Sequence, residues 1–139
     1  MNYPLHTIDN ILRIDSEKIG SESYLISLDF KVLPFSPIRA FSVSSGKGST
    51  RGNHAHKLCN QFIFCISGSI NVKCDDCNNL AKYTLLPGNW LLVPCGIWAS
   101  QDYLEENSII NVFCDQPFDE RDYIRDYKNF LKARLKKWK

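Results

Sequence analysis

The sequence predicts an all-β domain, a small barrel or sandwich, with one α-helix at its C-terminal end. Short apolar or alternating segments recur at near-even spacing, punctuated by Gly, Pro, Asn, Asp and Ser, as antiparallel strands and their turns require. The hydrophobic period becomes helical only in the last stretch of the chain. No linker, repeat or low-complexity tract intervenes, so residues 1–139 read as one domain.

Residues 24–30 alternate as an early strand, and 38–44 follow after Pro34 and Pro37. Residues 60–66, rich in aromatic and branched side chains, run to the turn signal Ser67-Gly-Ser69. Residues 70–74 and 81–85 flank Asp75-Asp-Cys-Asn-Asn79 as the arms of a hairpin. Residues 88–94 form a buried strand closed by a turn, and 108–115 supply a last long one. Tyr123, Ile124, Tyr127, Phe130, Leu131, Leu135 and Trp138 then recur at helical spacing. Asp119 and Asp122 are the candidate N-caps, and the basic end at residues 136–139 complements the helix dipole.

Bulk properties narrow the function classes. A chain of 139 residues with 44% apolar content can bury a single core. A net charge of +2 is too mild to argue for nucleic acid. No run of eighteen apolar residues predicts a membrane span, and the N-terminus lacks a basic start and apolar stretch. The expectation is a cytoplasmic protein whose six cysteines are reduced thiols.

The most informative stretch runs from Gly48 to Asn60. Gly48 is followed after five residues by His54, and after one more by His56, which points to the same side if the segment is a strand. Gly88 is followed after five residues by Pro94, then Gly96 and, three positions on, Ala99. These spacings resemble the two signatures of the cupin barrel, so the expected fold is a cupin-type jelly-roll barrel with a C-terminal α-helix. Metal cupins carry a glutamate and a histidine where this chain has Asn60 and Ala99. What remains is an imidazole pair without a metal site, which points to acid–base chemistry. Arg51 stands close enough in sequence to clamp a phosphate or stabilise an enolate, or it is an ordinary arginine at a loop edge.

The Cys74-Asp-Asp-Cys77 motif reads as two incidental thiols, because no second ligand pair follows and it spans a hairpin turn. Cys59, Cys65, Cys95 and Cys114 look like small core residues. Trp90 and Trp98 read as core or rim aromatics, with Trp98 the better candidate for a ligand wall, and His6 reads as a tail residue without a role.

The chain also resembles the nucleotide-sugar 3,4-ketoisomerases, the WxcM-like family acting on dTDP-4-keto-6-deoxyglucose. The resemblance rests on Arg51-Gly-Asn-His-Ala-His-Lys57, Gln61, Ile66-Ser-Gly-Ser69, Pro94-Cys-Gly-Ile-Trp98, Phe118-Asp-Glu-Arg-Asp-Tyr-Ile-Arg-Asp-Tyr127 and Pro34-Phe-Ser-Pro-Ile-Arg39. It implies a jelly-roll homodimer that uses no metal or other cofactor and binds a dTDP-linked 4-keto-6-deoxyhexose. Its place would be in deoxyamino-sugar synthesis for surface polysaccharide such as the lipopolysaccharide O-antigen. The catalytic pair falls on His54 and His56, with Arg51, Asn53, Gln61, Arg39, Trp98 and Tyr103 as substrate contacts. His54 would take the C3 proton, His56 would hold sugar oxygens or relay protons, and Arg51 would steady the enediolate. The chain departs from the family at Ser21, Phe41, Asn60 and Ala99, where an arginine, a tyrosine, a glutamate and a histidine are common. Two other readings stay open. One is a 3,5-epimerase-type enzyme with Tyr103 or Tyr24 as its acid, and the other is a non-catalytic sugar-nucleotide-binding cupin. For assembly, residues 26–30 are the expected contact of a two-fold dimer.

Overall fold

The structure is a computed structural model that describes residues 6–136. Its strands are β1 (Leu12–Asp15), β2 (Glu17–Gly20), β3 (Tyr24–Ser27), β4 (Arg39–Ser45), β5 (Thr50–His56) and β6 (Gln61–Ser67). They continue as β7 (Ile70–Asp75), β8 (Leu80–Leu85), β9 (Asn89–Val93), β10 (Trp98–Tyr103), β11 (Ser108–Cys114) and the two-residue β12 (Tyr123–Ile124). One helix, α1 (Tyr127–Lys136), follows. Two five-stranded sheets, ordered β1-β9-β6-β11-β4 and β12-β5-β10-β7-β8, close on each other as a cupin-type jelly roll. A separate hairpin pairs β2 with β3.

Alternation decides which side chains meet between the sheets. In β6, Ile63 and Cys65 point inward to join Ile70, Val72, Leu85, Leu91, Ile110 and Val112 in a core drawn from both sheets. Phe62 and Phe64 point the other way, against Trp90 and Leu33, with Ile26, Leu28 and Phe35 packed over them. Phe64 stacks on Trp90 with ring centroids 3.9 Å apart. Strand β6 is therefore buried on both faces, which is why its sequence is a near-continuous apolar run. On the outside of the second sheet, Ala55 and Ile124 are sealed by Phe130 of α1.

Several sequence expectations need correcting. The early strand stops at Ser27, and a 3-10 turn occupies Phe30–Val32. The helix does not begin at residue 119 or 122. Tyr123 and Ile124 instead pair with His56 and Ala55, extending the sheet past β5. The true cap is Asp126, whose carboxylate accepts from the Asn129 amide at 3.0 Å. Asp119 caps only the 3-10 turn Glu120–Asp122. Trp138 and residues 137–139 lie outside the described residues. His6 is not a loose tail residue: its Nδ1 lies 2.9 Å from the Cys95 carbonyl, and Arg134 of α1 donates to its backbone oxygen at 2.6 Å.

Candidate active site

Strand β5 carries the histidine pair, and a bulge sets its position. Ala99 pairs with His54 while Ser100 pairs with Gly52, so Asn53 is the extra residue. Gly52 (φ 90°) and Asn53 (φ 56°) take up the left-handed conformations this requires. A Cβ on Gly52 would also stand 2.8 Å from Oε1 of Gln101 and 3.1 Å from the Ala99 carbonyl, so glycine is needed here.

The bulge opens onto a cavity of about 410 Å³ inside the barrel. His54, Arg51 and Asn53 line it from β5, Arg39 from β4 and Gln61 from the start of β6. Gln101, Tyr123 and Arg125 complete its polar wall, and Phe41, Val43, Ile63, Ile110 and Val112 its apolar one. Three guanidinium groups around a small cavity make it a receptor for an anion. Arg125 is held bidentately by Glu120, at 2.6 and 3.0 Å, and lies 4.2 Å over the Tyr123 ring. Arg39 stacks on Phe41 and Phe118, at 4.7 and 5.1 Å.

The two histidines sit in different environments. His54 lines the cavity, and burial, then the neighbouring His56 ring, lowers its pKa to about 4. Its Nδ1 is buried without a hydrogen-bond partner among the described residues. His56, its ring centroid 4.9 Å away, is buried behind it and packed against Tyr123 at 4.3 Å. Its Nδ1 meets Oδ2 of Asp122 at 2.9 Å, while its Nε2 is buried without a partner. Asp122 also accepts from the Leu58 and Cys59 amides, at 2.7 and 3.3 Å. Burial alone would raise the Asp122 pKa, but the hydrogen bonds from His56 and the Leu58 amide outweigh it and hold the carboxyl below its usual range. An ionised Asp122 keeps the proton of His56 on Nδ1 and leaves the lone pair on the buried Nε2.

Of the residues singled out in the sequence, His54, Arg51, Asn53, Gln61 and Arg39 come together in the cavity, with His56 directly behind. Trp98 and Tyr103 do not. Inward positions on β10 are Ala99, Gln101 and Tyr103, so Trp98 faces out and packs on Tyr127 and Phe130 of α1. Tyr103 does point inward, but it is fully buried in the core, away from the cavity lining. Sequence reasoning missed Asp122, Tyr123, Arg125 and Gln101. The position inherited by Ala99 already fixed the parity of β10, and could have found Gln101 and excluded Trp98.

The metal donors of a cupin do not fit this site. Asn60 gives its amide to Asp115 at 2.8 Å and accepts from the Cys95 N–H at 2.9 Å, so its side chain is a clamp between loops. Position 99 holds only a methyl group.

Fold and site together define a jelly-roll barrel whose interior holds a histidine pair among arginines. The chain belongs to the family described as WxcM-like, C-terminal, which matches residues 1–135. It is 35% identical over 117 residues to the TDP-4-oxo-6-deoxy-alpha-D-glucose-3,4-oxoisomerase of Aneurinibacillus thermoaerophilus, covering 82% of this chain and 84% of that one. The TDP complex of QdtA, a sugar 3,4-ketoisomerase from Thermoanaerobacterium thermosaccharolyticum, superposes with a TM-score of 0.84 at 24% identity, covering 96% and 100% of the two chains. WlaRA, a TDP-fucose-3,4-ketoisomerase from Campylobacter jejuni, gives 0.78 at 26% identity over 90% and 96%.

Proposed function

We propose that this protein is a TDP-4-keto-6-deoxyhexose 3,4-ketoisomerase working by acid–base chemistry without a metal. The observation that carries the reading is the pairing of a cavity-facing imidazole, His54, with a buried imidazole, His56, backed by Asp122. The family membership and the oxoisomerase relative supply the substrate class.

In this mechanism His54 takes the proton from C3 of the bound sugar. The C3–H electron pair forms the C3–C4 double bond, and the C4 carbonyl oxygen takes up the negative charge. Arg51, whose positive charge lines the same cavity, stabilises that enediolate. The C3 hydroxyl then gives up its proton as the C3 carbonyl forms, C4 accepts a proton, and oxidation state is conserved overall. His56 relays protons through Nε2, and Asp122 steadies its charged form. The low proton affinity of His54 keeps it free to accept and makes its conjugate acid a ready donor. Arg39 and Arg125 are the partners for the diphosphate.

Incubation with TDP-4-keto-6-deoxyglucose in deuterated water tests this directly. A 3-keto product carrying ring deuterium is expected. A product still ketonic at C4, or saturable binding without ring exchange, would overturn it. The epimerase reading loses the two acids it named: Tyr103 is in the core, and Tyr24 of the outer hairpin donates to the Ile66 carbonyl.

The same proposal places the whole chain, as one unit, in a homodimer. Ile26 and Leu28 pack on the protein's own sheet, so the contact shifts to the exposed Ile19, Leu25, Phe30 and Val32. A reducing, cytoplasmic setting fits six free cysteines, five of them buried. No helix among the described residues is long and apolar enough to cross a membrane. A role in surface-polysaccharide synthesis, including O-antigen, follows if the 3-keto product is aminated.

A further inference from the structure

A second group of donor atoms lies around His56, among residues that do not line the cavity. A ring nitrogen of His56, the thiol of Cys59 and a carboxylate oxygen of Asp122 all lie within 4.8 Å of one another. The nitrogen already facing the carboxylate is Nδ1, at 2.9 Å. Cys59 is buried and its thiol donates to the Asn60 carbonyl at 3.5 Å, while the Cys114 thiol nearby accepts from the Gln61 amide at 3.6 Å. The catalytic scheme uses neither thiol.

We infer that His56, Cys59 and Asp122 form a binding site for a thiophilic divalent ion of the zinc class, and that filling it switches the enzyme off. The donor set is one nitrogen, one sulfur and one oxygen, which suits zinc and its neighbours; calcium and magnesium take oxygens. Bonds of about 2.0–2.3 Å place tetrahedral donors about 3.5 Å apart, so the His56–Asp122 pair opens slightly from 2.9 Å while Cys59 adjusts within its 4.8 Å reach. Water would take the fourth tetrahedral position, as in zinc sites with three protein ligands.

Charge favours the step. Before binding, the cluster holds a carboxylate, a neutral imidazole and a thiol. On binding, the Cys59 proton leaves to solvent, the ion takes the Nδ1 lone pair, and the ring proton moves to Nε2. Dication, thiolate and carboxylate then sum to zero, so the buried cluster loses its net charge. The cost falls on catalysis, because the Nε2 lone pair of the relay is now protonated. That consequence rests on the proposed role of His56 as proton relay. The binding itself does not.

Titration of metal-stripped protein with Co²⁺ tests the site without reference to turnover. One ion per chain and a thiolate-to-cobalt charge-transfer band are expected, with the band lost in Cys59→Ala and kept in Cys77→Ala. Absence of the band, or its survival in Cys59→Ala, would overturn the site. Asp122→Asn provides a second variant should Cys59→Ala not fold, and it weakens Co²⁺ binding at least about tenfold. In the isomerase assay, Zn²⁺ should suppress wild-type turnover, a chelator should restore it, and the activity of Cys59→Ala should not respond. If Co²⁺ binds as described while Zn²⁺ leaves turnover intact, the switch and the relay role of His56 both fall, and the site stands.

Discussion

His54 and His56 are the same residue, two positions apart on one strand and facing the same interior, yet their surroundings give them opposite properties. His54 lines a cavity, and burial, then the neighbouring His56 ring, lower its pKa to about 4, so it sheds its proton. His56 has a carboxylate at Nδ1, so its tautomer and ring orientation are fixed. The difference teaches that the chemistry of a His-x-His motif is written by what the rest of the chain brings up behind each ring.

The sharpest way to break this contrast is to remove the cavity-facing ring. His54→Asn should reduce kcat by about 10²–10⁴-fold and abolish deuterium incorporation into the sugar ring. Turnover within tenfold of wild type would end the assignment.

A second measurement reads the same ring through stability. The His54 pKa falls from 6.5 to about 4 in the folded state, so between those values the unfolded chain binds the extra proton. Stability from this group is complete above pH 6.5 and is lost as pH falls towards 4. Denaturant unfolding should show wild type losing about 3 kcal/mol more than His54→Asn across that window.

Asp122→Asn tests the other member of the pair. It removes the charge behind His56 and permits the wrong tautomer. A hydrogen bond to a charged group is worth about 1.5–3 kcal/mol, so kcat should fall about 10–100-fold with KM little changed. A rise in KM alone would instead mark Asp122 as a purely structural residue.

The smallest effect is expected from Gly52→Ala, which strains the bulge at φ 90° that presents His54. Thermal unfolding should show a loss of about 1–2 kcal/mol.

Much of this was legible in the sequence because it is local. The glycine and histidine spacings located β5, and the aromatic run of residues 60–66 marked the doubly buried β6. The polar β10 carries Ser100, Gln101 and Asp102 among its six residues, so hydrophobic alternation could not mark it. Asp122 was hidden for a different reason. It lies 66 residues from His56 and precedes apolar residues at helical spacing, which made it resemble a cap. Only the pairing of β12 with β5, a long-range contact, makes it a neighbour of His56. Trp98 shows the reverse error: proximity in sequence to the signature was mistaken for proximity to the ligand.

The burial of β6 on both faces has a consequence for how the cavity can adapt. Its amide protons should exchange with solvent among the slowest in the chain, because opening it would disrupt two apolar layers at once. Gln61 and Ile63 therefore belong to a stiff wall. Opposite them stand the bulged stretch of β5 and Tyr123, with an exposed Arg125 whose partner Glu120 is equally exposed. A sugar entering this barrel meets an anvil on one side and a yielding surface on the other, and any accommodation to its shape falls to the side that carries the histidines.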